Sequence, residues 1–197
     1  MSLFRKDPNT LLKEATAKKK AGDLEGAIKL LREAYKGISK EAIIYPVATF
    51  LRLPLYLQEA GRSNEALQEF YTLLTKGYPN QIKDEGLIFM NHKIIYDKMR
   101  LFFQREGKND VAVRFGIFSY LSEAIALYHQ KRKNELKVYV SRENLGSTIK
   151  KLLKKAKKEN LTENLASIVE EQIKYLPDIN FEELTKRIDR VVCEKVE

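Results

Sequence analysis

The stretch AGDLEGAIKLLREAY at residues 21–35 and its echo AGRSNEALQEFYTLL at 60–74 decide the fold class. Each opens with Ala-Gly, continues with a polar residue suited to a helix start, and sets a small residue, Ala27 or Ala66, five positions after the glycine. A large apolar residue follows four positions on, Leu31 or Phe70, and Ala34 or Leu73 lies three beyond that. Spacings of three and four return side chains to one face of an α-helix. A glycine just past one helix and a polar cap just before the next end the first and start the second. Both stretches therefore predict a tight helix-turn-helix in which the alanine lets two antiparallel helices approach closely.

A third version, EGKNDVAVRFGIFSY at 106–120, keeps Ala112 five residues after Gly107 but has Gly116 where the others have Leu31 and Phe70. Helical spacing extends through the chain and predicts helices near 8–21, 24–37, 40–60, 63–76, 83–106 and 110–132. Pro54, inside the third of these, lacks an amide donor and predicts a kink. A basic helix near 148–159, a helix with Leu165, Ile168, Val169, Ile173 and Leu176 that ends at Pro177, and a last helix opened by Asn180 and Glu183 bring the expected count to nine. Only LKVYV at 136–140 has the spacing of a short strand. The predicted class is all-α.

This pattern resembles the tetratricopeptide repeat, a helix-turn-helix unit of about 34 residues that stacks into a solenoid. The resemblance covers residues 8–133 as about three pairs, clear in the first two and weak in the third. The three glycines are 39 and 46 residues apart, which departs from a constant period and implies lengthened helices. An irregular helical bundle that contains two repeat-like hairpins is the alternative. In a solenoid the terminal pair exposes apolar surface unless it is covered. Residues 134–197 are therefore expected to cap repeats 1–133 within the same compact unit.

The resemblance also implies a function: the first helix of each pair lines a concave groove that holds a protein segment. Projected by the glycine alignment, the groove positions include Lys13, Lys20, Arg52, Gln58, Lys98, Leu101 and Arg105. Their charge and interspersed leucine suit an acidic, partly apolar peptide. The chaperone-binding carboxylate clamp of the family does not carry over, because this chain has Leu12, Thr16 and Arg52 where the clamp needs Lys and Asn. The expected role is a non-catalytic scaffold or adaptor.

The net charge of +9 is unevenly placed. Residues 131–160 hold 11 Lys and Arg against 3 Asp and Glu, whereas residues 161–197 are acidic. In GSTIKKLLKKAKKEN at 146–160, Ile149, Leu152, Leu153 and Ala156 form one narrow face. Around them Lys150, Lys151, Lys154, Lys155 and Lys158 could contact phosphate or another anionic surface, or simply face solvent. A basic accessory protein that contacts nucleic acid through 131–158 is the alternative function. Aromatic residues are sparse there, which gives base stacking little support.

No other function class is favoured. His92 and His129 lack partners at metal-ligand spacing and read as structural, and no activated nucleophile or phosphate-binding glycine loop is evident. The acidic pairs Asp84/Glu85, Glu170/Glu171 and Glu182/Glu183 mostly lie near helix starts, where they offset the macrodipole. The chain is thus expected to be no enzyme and to need no cofactor or metal. The apolar run at 111–129 contains Arg114 and Glu123 and is shorter than a span needs without interruption, so it reads as a helix covered on several sides. That cover could come from the chain itself or from a second copy. MSLFRKDPNT has no secretory character, and a cytoplasmic protein is expected. The lone Cys193, near Val192 and Val196, is expected to be a core or partly covered thiol.

Overall fold

The structure, a computed structural model, describes residues 6–193. Every regular element in it is helical: α1 (Pro8–Lys20), α2 (Leu24–Ile38), α3 (Val47–Phe50), α4 (Arg52–Glu59), α5 (Ser63–Thr75), α6 (Glu85–Arg105), α7 (Asn109–His129), α8 (Lys133–Tyr139), α9 (Arg142–Ala156), α10 (Thr162–Ile173) and α11 (Phe181–Cys193), with a 3-10 turn at Glu159–Leu161. α3 and α4 are two parts of one helix broken at Leu51, three residues before Pro54. Proline at that position removes the amide that would bond to the Phe50 carbonyl, so the break falls where the missing donor puts it.

The chain forms two compact units, residues 1–82 and 83–197. The helices of 134–197 thus belong with α6 and α7. In the first unit α1 pairs with α2, and α4 packs on both α2 and α5. The alanines at the close approaches, Ala27 and Ala66, are fully buried, as are Leu31, Ala34 and Phe70. The segment expected to begin a helix at 40 instead runs irregularly to Val47. Pro46 accounts for this, since a proline disfavours helical geometry in the residue before it. Asn80 fastens the irregular stretch: its amide Nδ2 donates to the carbonyls of Ile38 at 3.2 Å, Glu41 at 2.6 Å and Ile43 at 2.9 Å.

In the second unit α7 is central. It packs along α6 and also touches α8, α9, α10 and α11. By length and composition α7 could cross a membrane, yet 78% of its most apolar window is buried within the protein. Leu145, Ile149 and Leu153 of α9, Leu165 and Val169 of α10, and Leu184, Ile188 and Val192 of α11 supply buried faces to this unit. The helices α9, α10 and α11 pack against this apolar helix. Gly116 also finds its reason here. A β-carbon at Gly116 would collide with the δ-methyls of Leu152, so α9 occupies the volume that Leu31 and Phe70 fill in the first two hairpins.

One backbone motif recurs at the helix ends. Gly22, Gly61 and Gly107 adopt φ 82°, 77° and 73°. In each case the next residue donates its amide to the carbonyl five back, as Asp23 does to Lys18 at 2.9 Å, Arg62 to Leu57 at 2.8 Å and Lys108 to Phe103 at 2.9 Å. This is the Schellman closure of a helix. The same closure appears twice more with lysine in the left-handed position: at Lys131, φ 57°, with Arg132 bonded to Leu127 at 3.0 Å, and at Lys157, φ 56°, with Lys158 bonded to Leu153 at 3.2 Å. Residues 136–140, read as a possible strand, therefore lie at the end of α8 and just past it, in a fourth helical hairpin. Leu136 sits five positions after Lys131, as each alanine does after its glycine. Cys193 corrects a further expectation: it is exposed. Val196, its expected neighbour, lies outside the described residues.

Candidate protein-binding surfaces

In the first unit the groove positions separate into exposed and committed groups. Lys13 and Lys20 project from α1 and are exposed. Lys18 pairs with Asp23 at 2.6 Å, and Lys19 pairs with Glu59 at 2.7 Å while its ammonium stands 5.0 Å from the Tyr56 ring centroid. Arg52 is half-buried, and its Nη2 donates to the Leu12 carbonyl at 2.8 Å and to Thr16 Oγ1 at 2.7 Å. This guanidinium ties α4 to the middle of α1. Its partners lie 36 and 40 residues away, so no local pattern reveals them. Gln58 is half-buried on α4.

The far side of this unit is stitched by ion pairs. Arg62 reaches Glu25 at 2.9 Å and Glu65 at 2.7 Å, while Arg32 reaches Glu65 at 3.5 Å and Glu69 at 3.3 Å. The Arg62 hydrogen bonds hold the Glu65 carboxyl below the usual glutamate range. All of these groups are at least partly exposed, so each pair adds little stability and serves mainly to orient α2 against α5.

In the second unit Lys98 and Leu101 are half-buried on α6 and Arg105 is exposed. Beside them Arg100 donates to Asp97 at 3.0 and 2.7 Å and to Gln104 at 3.3 Å. On α9, Lys150, Lys151, Lys154 and Lys155 are exposed, whereas Leu145, Ile149 and Leu153 are buried against the unit. Lys158 stands apart from these four. Its Nζ lies 3.0 Å from Asp110 and also donates to the Val192 carbonyl, joining the end of α9 to the start of α7 and the end of α11. Its charge is used inside the unit.

Two clefts adjoin these lysines. One, about 400 Å³, includes Lys151, Asp97, Arg100, Tyr120 and Tyr139 in its lining. The two tyrosine rings stack at 4.6 Å, and each hydroxyl donates to the other residue's carbonyl, at 2.8 Å from Tyr120 and 3.3 Å from Tyr139. Burial pushes both phenols up, so they stay protonated donors. The other cleft, about 640 Å³, lies between the end of α7 and α8 and includes Leu127, Leu136 and Val140 with Lys131, Lys133 and Lys137. Sequence reading missed it. A lysine in the left-handed position hides the turn that creates it, and the Lys131-to-Leu136 spacing was the available signal.

The remaining site expectations can be placed. His129 Nδ1 lies 2.8 Å from Glu85, and the His129 ring stacks on Phe89 at 5.9 Å. His92 meets Phe89 edge-on at 5.4 Å. The Cys193 thiol is pushed up by desolvation and then by Asp189 and Asp110, which disfavours the reactive thiolate. Comparison with protein-family models, curated proteins and solved structures gives no match.

Proposed function

We propose that the protein is a non-catalytic binding module, built from tetratricopeptide-like hairpins, that takes up an acidic, partly apolar segment of a partner protein. The observation that carries this reading is a set of uncompensated lysines. Lys131, Lys133, Lys137, Lys150, Lys151, Lys154, Lys155 and Lys157 are all exposed, and none forms an ion pair with a described residue. Arg132, Arg142 and Lys158, within the same stretch, all have carboxylate partners. A surface with one sign of charge left unneutralised attracts an oppositely charged partner and speeds its encounter. Exposed Tyr128 and Val138 beside it add apolar contact area that a phosphate backbone would not use. Lys13 and Lys20 are exposed cations of the first unit by itself.

A second reading rests on α9, where Lys150, Lys151, Lys154 and Lys155 offer two turns of exposed charge to nucleic-acid phosphates. Selection of the full-length protein against a library of random dodecapeptides separates the two. The expected result is enrichment of peptides that combine Asp and Glu with Leu or Phe, with binding that weakens modestly from low to moderate salt. If no such peptides are enriched, and labelled duplex DNA binds with a steep loss over the same salt range, the nucleic-acid reading replaces this one.

A further inference from the structure

Resting on that reading, we propose that the cleft between the end of α7 and α8 is the seat of the acidic segment. An apolar side chain of the partner enters beside Leu127, Leu136 and Val140, and its carboxylates meet Lys131, Lys133 and Lys137.

Three features of the cleft support this occupant. First, α8 buries none of its residues: Leu136 is half-buried and Val138 is 72% exposed, and Val140, just past the helix, is half-buried as well. Tyr139 anchors the end of α8 to Tyr120, and the rest of the helix keeps an apolar face available. Second, the cleft is basic on balance. The carboxylates beside it are already engaged, Glu135 by Arg132 and Glu85 by His129, while the three rim lysines have no carboxylate partner among the described residues. Apolar floor and cationic rim together match an acidic amphipathic segment.

Third, Lys131 occupies a position where the backbone disfavours it. The equivalent turns at 22, 61 and 107 use glycine, and left-handed φ is unfavourable for a residue with a β-carbon. The turn geometry gives no reason for a lysine, whereas its side chain borders the cleft. Lys157, the other lysine in such a turn, belongs to the exposed row of α9.

The turn offers a test in which stability and binding move in opposite directions. The probe is the consensus dodecapeptide from the library selection, labelled and followed by fluorescence anisotropy against the full-length protein. Lys131→Gly should leave the melting temperature unchanged or raise it, because glycine suits the turn, yet weaken the peptide about 3-fold or more. The Lys133→Glu/Lys137→Glu pair should weaken it about 10-fold or more, with most of the loss disappearing at high salt. Leu136→Ser should weaken it at every salt concentration. Lys150→Glu/Lys154→Glu should change affinity by less than about 3-fold, since exposed charges outside a contact act weakly and through screened fields. If the α8 variants bind like the wild type and the α9 pair abolishes binding, this seat is wrong while the protein-binding function stands. If the library yields no acidic peptide, function and seat fall together. If duplex DNA, and not peptide, loses affinity in the α8 variants, the occupant is nucleic acid and the proposal is overturned.

Discussion

The two units put the same hairpin motif to different uses. In residues 1–82 the hairpins are short, their contacts run between neighbouring helices, and outward-facing ion pairs set their alignment. In residues 83–197 one hairpin has helices of 21 residues each, and its second helix, α7, becomes a core element touched by five others. The difference lies in the outer face of the second helix. α2 presents Lys29, Arg32, Glu33 and Lys36 to solvent, whereas α7 carries apolar residues nearly all round and needs cover on several sides. A shared turn thus fixes how two helices meet, and the remaining faces decide what surrounds them.

The largest expected effect tests that dependence directly. Truncation after residue 160 removes α10 and α11, and with them buried Leu165, Val169, Leu184, Ile188 and Val192. Loss of cooperative unfolding and aggregation are expected in calorimetry and light scattering, because a large apolar surface is uncovered. A monomeric 1–160 fragment with the melting curve of the full chain would show that α7 does not depend on these helices.

Next in size is overpacking at the hairpin contacts. Ala66→Trp and Ala112→Trp, one in each unit, should each cost about 1–3 kcal/mol or more, since both alanines lie at close helix approaches with almost no exposed surface. Denaturant titration would measure both. Equal stability in either variant would remove that position from the shared motif.

A smaller pair of changes compares glycine turns with lysine turns. Gly61→Ala should destabilise by about 1 kcal/mol through its φ of 77°, since no atom lies near enough to clash with the added methyl. Lys157→Gly should stabilise by roughly 0.5–1 kcal/mol for the converse reason. Opposite signs in thermal unfolding would confirm that backbone geometry, and not side-chain contact, sets the cost.

The mildest effect is a pH dependence. Asp7, Asp23 and Glu65 in the first unit, and Glu171 in the second, are held below their ordinary values. The causes are hydrogen bonds from Thr10 to Asp7, from Lys18 and then Gly26 to Asp23, from Arg62 to Glu65 and from Arg187 to Glu171. A depressed folded pKa contributes stability above the unfolded value, about 4, and loses it as pH falls through the folded value. Stability should therefore be flat above about pH 5 and decline below about pH 4. Three of these four groups lie in residues 1–82, so segment-resolved hydrogen exchange should show that unit loosening first. Equal loosening in both units would show that these caps and pairs do not distinguish them.

What the sequence determined by itself is the part written within a few residues. Gly22, Gly61 and Gly107, followed at five positions by Ala27, Ala66 and Ala112, specify the turn and the close approach, because backbone sterics and helical spacing act over that range. Caps such as Asp23, whose carboxylate accepts the Gly26 amide at 2.8 Å, are equally local. Pro54 announced its helix break, and the apolar residues of α10 and α11 announced amphipathic faces.

Tertiary structure decided the rest, and in each case the deciding partner lies far along the chain. Arg52 looked like a groove cation and Lys158 like a phosphate contact, but Leu12 and Thr16 engage the first and Asp110 the second, 36 to 48 residues away. Gly116 looked like a lapse in the repeat until Leu152 filled its space. Segment 136–140 alternates like a strand, yet α8 and the Schellman turn at Lys131 enclose it in a helical hairpin. A turn is determined by its own φ and ψ, and sequence reports those directly. Whether a charge is free, a volume filled or an apolar face covered depends on chain segments that only folding brings together.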